Sequence, residues 1–335
     1  LKKPAENRQA RQLHLRFDLI HSLKSIYDMK KLLWIFASAL LLSNVFLSTG
    51  CQEDDPIVND LPPLVKVTDG TSEITSLVMT GSQVFTVYVE GTKGTKQLTT
   101  LTIKENGTTI DASRVEVVGT GGGSGTLLVS GADKDGFDWQ IKITSHTSFG
   151  EKEYTFTLAD EGGLTDEASV DVTVQEPLSK SLTGILLNQG GPAGQGALDL
   201  DDGKRTGVTT TGEVPPSEGE IRDMGIDSSA MSLEVNWRQK IAGVNGCEIR
   251  KVGVGAPEGF DFTKVDSKDQ ILAAFSTADA FTETLNGIKV NTGKVQKNDV
   301  FVVKRPDNRH YLVKVDNVVV TPADNQDKYE LSIKY

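Results

Sequence analysis

Phe137-Asp138-Trp139-Gln140-Ile141-Lys142-Ile143 is the stretch whose reading decides the fold. Every second residue is apolar, so an extended segment has one apolar and one polar face. That is the period of a half-buried β-strand and not the 3.6-residue period of a helix. The alternation recurs outward on both sides, at Phe85, Val87 and Val89, at Leu101 and Ile103, at Tyr154, Phe156 and Leu158, and at Val170, Val172 and Val174. Asn106-Gly107, Gly121-Gly122-Gly123, Asp135-Gly136 and Gly162-Gly163 supply turn signals between the runs. No helix signal interrupts residues 64–176, and the spacing predicts an antiparallel sandwich of about seven strands.

Past this block, Pro177 and the polar Ser179-Lys180-Ser181 read as a linker over 177–181. Residues 182–335 predict a second, mainly antiparallel β domain with one short helix, so the chain as a whole is expected to be all-β. Its strands are expected at Leu182 to Leu187, in a hairpin turning near Asp202-Gly203, at Ile221 to Ile226, and at Leu233-Val235-Trp237. Three more are expected at 299–304, 310–315 and 329–335, the first two joined by Pro306-Asp307-Asn308. Ser267 with Gln270 three residues later forms a capping box ahead of Ile271, Leu272, Ala274 and Phe275, which predicts the helix. Each half has its own alternating runs and is expected to bury its own core.

Towards the N-terminus, Met29-Lys30-Lys31 makes a basic start and Leu32 to Leu47 an apolar run that ends at Leu47-Ser48-Thr49-Gly50-Cys51. Sixteen residues are short for a membrane span, which needs roughly 20, and suit a secretory signal. Ser48-Thr49-Gly50-Cys51 resembles the box read by the bacterial lipoprotein signal peptidase. The resemblance implies a signal peptide over 29–50 and lipidation at Cys51, with residues 1–28 read as an upstream extension. Gln52, Glu53, Asp54 and Asp55 then open an acidic and proline-bearing tether over 51–63. Cys-Gln-Glu-Asp-Asp resembles the surface-export tag of lipoproteins of the Bacteroidota, which implies an outer-membrane, lipid-anchored, cell-surface protein. Formal net charge is −11, and removing residues 1–50, with eight Lys/Arg and three Asp/Glu, takes it to −16. Such an acidic chain excludes nucleic acid as an expected partner and leaves membrane attachment to the lipid.

No catalytic constellation is expected. Beyond residue 50 the histidines are His146 and His310, one in each predicted domain, which gives no basis for a triad or a multi-histidine zinc site. Gly121 to Gly125 contains Ser124 but lacks the spacing of a nucleophile elbow, and reads as a hairpin turn. Cys247 is the only cysteine besides Cys51 and reads as a small semi-buried residue, so packing must hold the domains together without a disulfide. No cofactor is expected other than Ca²⁺. Its candidate ligands are Asp133, Asp135 and Asp138, with Asp160, Glu161 and Asp166 at a second turn, and solvated acidic turns are the alternative. Trp139 and Trp237 fall in phase with the apolar residues of their strands and are expected in the core. A sugar-stacking platform would need a loop aromatic such as Phe260 or Phe262.

Gly131-Ala132-Asp133-Lys134-Asp135-Gly136-Phe137 and Asp160-Glu161-Gly162-Gly163-Leu164-Thr165, each beside a strand, look like parts of the immunoglobulin-like modules of bacterial surface proteins. The C-terminal half, above all its last 40 residues with Asp299 to Lys304 and Tyr329-Glu330-Leu331-Ser332-Ile333-Lys334-Tyr335, is similar in layout to the HmuY-like surface lipoproteins. That likeness implies haem as a ligand, held by His310 with Met224 or Met231. The reading that follows is a non-catalytic cell-surface lipoprotein with a binding or adhesion role, its extracellular ligand unidentified. The alternative is a haem- or glycan-capture lipoprotein working with an outer-membrane transporter.

Overall fold

The computed structural model describes residues 59–119, 123–188, 195–230, 236–253, 260–322 and 326–335. Cys51, the residues of the acidic tag and Met231 lie outside the described residues, as do residues 1–50. Among the described residues, ten strands build the first sandwich: β1 (Leu64–Thr68), β2 (Ser76–Thr80), β3 (Val84–Thr92), β4 (Leu98–Glu105), β5 (Thr108–Thr109), β6 (Val115–Val117), β7 (Thr126–Leu128), β8 (Gly136–Thr144), β9 (Gly150–Asp160) and β10 (Thr165–Gln175). One sheet runs β1-β3-β8-β6 and the other β2-β10-β9-β4-β5, with β7 also on β4. All pairs are antiparallel except β2 with β10. The first order is the ABED sheet of an immunoglobulin-like sandwich, and β9 between β10 and β4 is its CFG sheet.

The alternating runs face each other as expected. Val87 pairs with Ile141 and Phe85 with Ile143, and these pack with Leu101, Ile103, Phe156, Leu158 and Val172 in one buried cluster. Trp139 departs from the expectation. It is half-buried, stacked on Phe137 with ring centroids 4.1 Å apart, and its indole N–H donates to Asp133 at 3.2 Å. Phe137 lies across Gly91, where a Cβ would come within 2.4 Å of the ring. The strands beyond about seven are short edge pieces with no clean alternation, such as Ser76-Leu77-Val78-Met79-Thr80.

In the second sandwich a six-stranded sheet has the order β11-β22-β21-β20-β16-β17 and a smaller one β13-β12-β14-β15. The strands are β11 (Ser181–Asn188), β12 (Ala197–Leu198), β13 (Arg205–Thr206), β14 (Ile221–Asp223), β15 (Ile241–Gly243), β16 (Glu248–Val252), β17 (Asp279–Ala280), β18 (Glu283–Leu285), β19 (Ile288–Val290), β20 (Val300–Lys304), β21 (His310–Val319) and β22 (Lys328–Lys334). β18 and β19 form a separate hairpin. Helix α1 (Lys268–Thr277) is the one α-helix among the described residues, and both halves of its predicted capping box are made.

The large sheet is covered on both faces. Phe301, Val303, Tyr311, Val313, Leu331 and Ile333 meet Leu198, Leu200, Ile221, Trp237 and Ile241 of the small-sheet side. On the other face Val302 and Leu312 meet Ile271, Ala274 and Phe275 of α1. Two-sided burial explains why β20 reads Val300-Phe301-Val302-Val303 without alternation. Trp237 is buried as expected and donates to Asp223 at 3.0 Å, and Met224 is buried.

Candidate functional site

The hairpin of β12 and β13 places the most concentrated chemistry among the described residues. Leu198 and Leu200 point into the core, and Gly203, at φ +68°, makes the turn. Asp199 is buried and accepts from the Asp201 N–H at 2.8 Å. Glu220, immediately before β14, is 2% exposed. One of its oxygens accepts from Leu200 N at 2.7 Å and the other from Arg305 at 2.8 Å. Asp201 accepts from Arg305 at 3.2 Å, from Arg309 at 2.9 Å and from the Tyr311 hydroxyl at 2.6 Å. The Tyr335 hydroxyl donates to the Asp201 carbonyl at 2.6 Å.

Oxygens of Asp199, Asp201 and Glu220 lie within 4.8 Å of one another, the spacing of a metal-ligand set. Two guanidinium groups already bond this cluster, so the charge a cation would bring is supplied by Arg305 and Arg309. Burial pushes the Glu220 carboxyl up to about 7, with Asp199 and Asp201 adding to the rise and Leu200 N and Arg305 opposing it. Burial also raises Asp199. A polar cleft of about 160 Å³ opens on Glu220, Arg305, Asn245 and Cys247. A second, of about 290 Å³, lies against Cys247, Ile249, Phe281, Ile288 and Lys289. Burial pushes the Cys247 thiol up to about 11, which keeps it protonated and poorly nucleophilic at neutral pH.

The residues expected from the sequence lie elsewhere. Asp133 is bonded to Trp139, Asp135 pairs with Lys93, and Asp138 is exposed. Asp160 accepts from Gly162 N and Leu164 N, Glu161 pairs with Lys134 at 2.8 Å, and Asp166 accepts from Val65 N. His310 lies at the start of β21 with its ring edge-on to Phe275 at 5.0 Å. Its Nε2 is buried without a hydrogen-bond partner among the described residues. Burial, then the nearby Lys304, lowers its pKa. Buried Met224 accepts from Arg222. Phe260 and Phe262 pack against the α1 cluster, and Lys334 sits 5.0 Å from the Phe262 ring centre.

His146, in the first sandwich, contacts the Tyr154 hydroxyl through Nδ1 and the Gly150 carbonyl through Nε2. Tyr154 accepts from His146 N at 3.0 Å and donates to Glu105 at 2.7 Å, the arrangement of a tyrosine corner at the start of β9.

Sequence reading missed the cluster of Asp199, Asp201 and Glu220 with Arg305, Arg309 and Tyr311. The available signal was Asp199 set inside Ala197-Leu198-Asp199-Leu200, a carboxylate in an otherwise apolar run.

No protein-family model matches the chain, and no curated protein matches it by sequence. Among solved structures it is similar to a DUF4466 family protein from Parabacteroides merdae, at 9% identity and a TM-score of 0.30, over 82% of this chain and 98% of that one. It is also similar to the SrpA adhesin of Streptococcus sanguinis, at 10% identity and a TM-score of 0.26, over 41% of this chain and 71% of that one. Fibronectin(III)-like modules of Clostridium thermocellum CbhA match at 13% identity and a TM-score of 0.21, over 34% of this chain and 98% of those modules. Likenesses this distant assign neither family nor activity.

Proposed function

We propose that this chain is a non-catalytic, lipid-anchored surface protein with a binding or adhesion role, in which the C-terminal sandwich presents the binding surface. The observation that carries the reading is the run from Met29 to Asp55, an export signal closed by Cys51 and followed at once by Gln52-Glu53-Asp54-Asp55. The structure supports the non-catalytic part through the state of its polar groups. Asp201 and Glu220 are engaged by arginines, and Cys247 is held as a thiol. His146 and His310 belong to different sandwiches.

Membrane fractionation of a Cys51→Ala variant tests the anchor, with release from the outer-membrane fraction as the expected result. Retention as firm as that of the unaltered protein sinks the lipid assignment. Protease treatment of intact cells then separates the orientations, since outward display predicts loss of the protein without lysis.

A further inference from the structure

The segment after β10 is bonded along its length to the second sandwich, and most of those bonds converge on the N-terminus of α1. Lys268 N donates to the Glu176 carbonyl at 2.8 Å, and Glu176 N donates to the Asp269 carboxylate at 3.2 Å. Lys268 Nζ pairs with the Glu176 carboxylate at 2.6 Å. Pro177 and Ser267 form a β-bridge, and Leu178 N donates to the Asp266 carbonyl at 3.2 Å. From β2, the Thr80 hydroxyl donates to Asp266 at 2.8 Å. Further along, Lys180 and Tyr335 exchange backbone hydrogen bonds at 3.1 Å. Leu178 packs with Val265, Ile271 and Phe275 beneath the helix.

Ser267 joins the two functions of this corner. Its hydroxyl accepts from Gln270 N as the helix cap and donates to the Gln175 side chain at 2.7 Å, and the residue is fully buried. The donors a helix leaves unpaired in its first turn are therefore satisfied partly by Ser267 and partly by the carbonyl of Glu176, which directly follows β10. A flexible linker has its backbone groups in water, whereas here the backbone of residues 176, 178 and 180 is paired.

We propose that α1 is a clasp that joins the two sandwiches into one body, with residues 176–180 acting as a bonded strap and not as a hinge. The C-terminal surface is then held at a fixed attitude to the immunoglobulin-like domain. Because the bonds involve residues 80, 175–180, 266–270 and 335, the inference stands apart from whether the chain is lipid-anchored.

Residual dipolar couplings and ¹⁵N relaxation on the chain released at Cys51 test it. A single alignment tensor and one tumbling time are expected for both sandwiches. The double variant Gln175→Ala with Lys268→Ala removes side-chain bonds of the joint and leaves the cap partners in place. It should separate the two tensors while amide protection persists in α1 beyond its first turn. Gln270→Ala is the converse control, expected to lose protection in the first turn of α1 and keep the single tensor. Two independent tensors in the unaltered protein overturn the clasp, as does a double variant indistinguishable from it.

Discussion

At the scale of single residues, Glu220 is the group whose burial has the clearest consequence. A carboxyl that titrates at about 7 in the folded chain and at 4.5 in a free one binds its proton more tightly when folded. Folding is therefore favoured at low pH by this group. The contribution is fully present below pH 4.5 and is lost as pH rises through about 7, by about 3 kcal/mol if the whole shift is realised. Arg305 and Leu200 N limit the loss but do not reverse it. Glu220→Gln cannot ionise, so thermal unfolding between pH 5 and pH 8 should fall less steeply in that variant than in the unaltered protein. Parallel curves would mean that Glu220 is charged throughout and that Arg305 fully compensates its burial. Glu105 shows the opposite balance in the first sandwich. It accepts from Arg114, Lys152 and Tyr154, and these bonds overcome its burial and hold it down at about 2.

At the scale of elements, what the sequence disclosed depends on strand length. β3, β8, β9 and β10 run for nine to eleven residues, long enough for period two to appear, and α1 announces itself through Ser267 and Gln270. β12, β13, β17 and β18 have two or three residues each, too few to display any period, and the tertiary context alone makes them strands. Apart from Asp199 in its apolar run, the convergence of the candidate site was illegible for a related reason, since Asp201 and Arg305 stand 104 residues apart and only the packing of the small sheet on the large one brings them together. One missed element was legible. Asn286-Gly287 lies between β18 and β19 with φ values of 52° and 80°, both left-handed, as a two-residue hairpin turn demands. A β-branched side chain at the second position is strained there, so Gly287→Val should cost about 1–3 kcal/mol in urea unfolding. An unchanged midpoint would show that the hairpin contributes nothing to the cooperative fold.

At the scale of the whole molecule, the arrangement of the cores determines how damage spreads. The apolar cluster of the first sandwich ends at Val172, and the buried clusters of the second begin at Leu187, with Leu178 packed against one of them. Hydrophobic stabilisation is thus local to each sandwich, whereas the joint at α1 is made of hydrogen bonds worth about 0.5–1.5 kcal/mol apiece. A cavity in the first core should propagate as far as those bonds and stop. Ile141 is fully buried and pairs with Val87 and Val117, so Ile141→Ala should destabilise the first sandwich by about 2–5 kcal/mol. Native-state hydrogen exchange then reads the pattern. Faster exchange is expected across β3, β8 and β9, with a smaller rise in the first turn of α1, because Glu176 and Gln175 hold that turn only while β10 is in place. The amides of β20, β21 and β22, whose partners all belong to the second sandwich, should be unaffected. An equal rise in β20 to β22 would mean one shared core. A rise confined to β3, β8 and β9, with α1 unmoved, would mean that the helix holds its first turn without the strand it is bonded to.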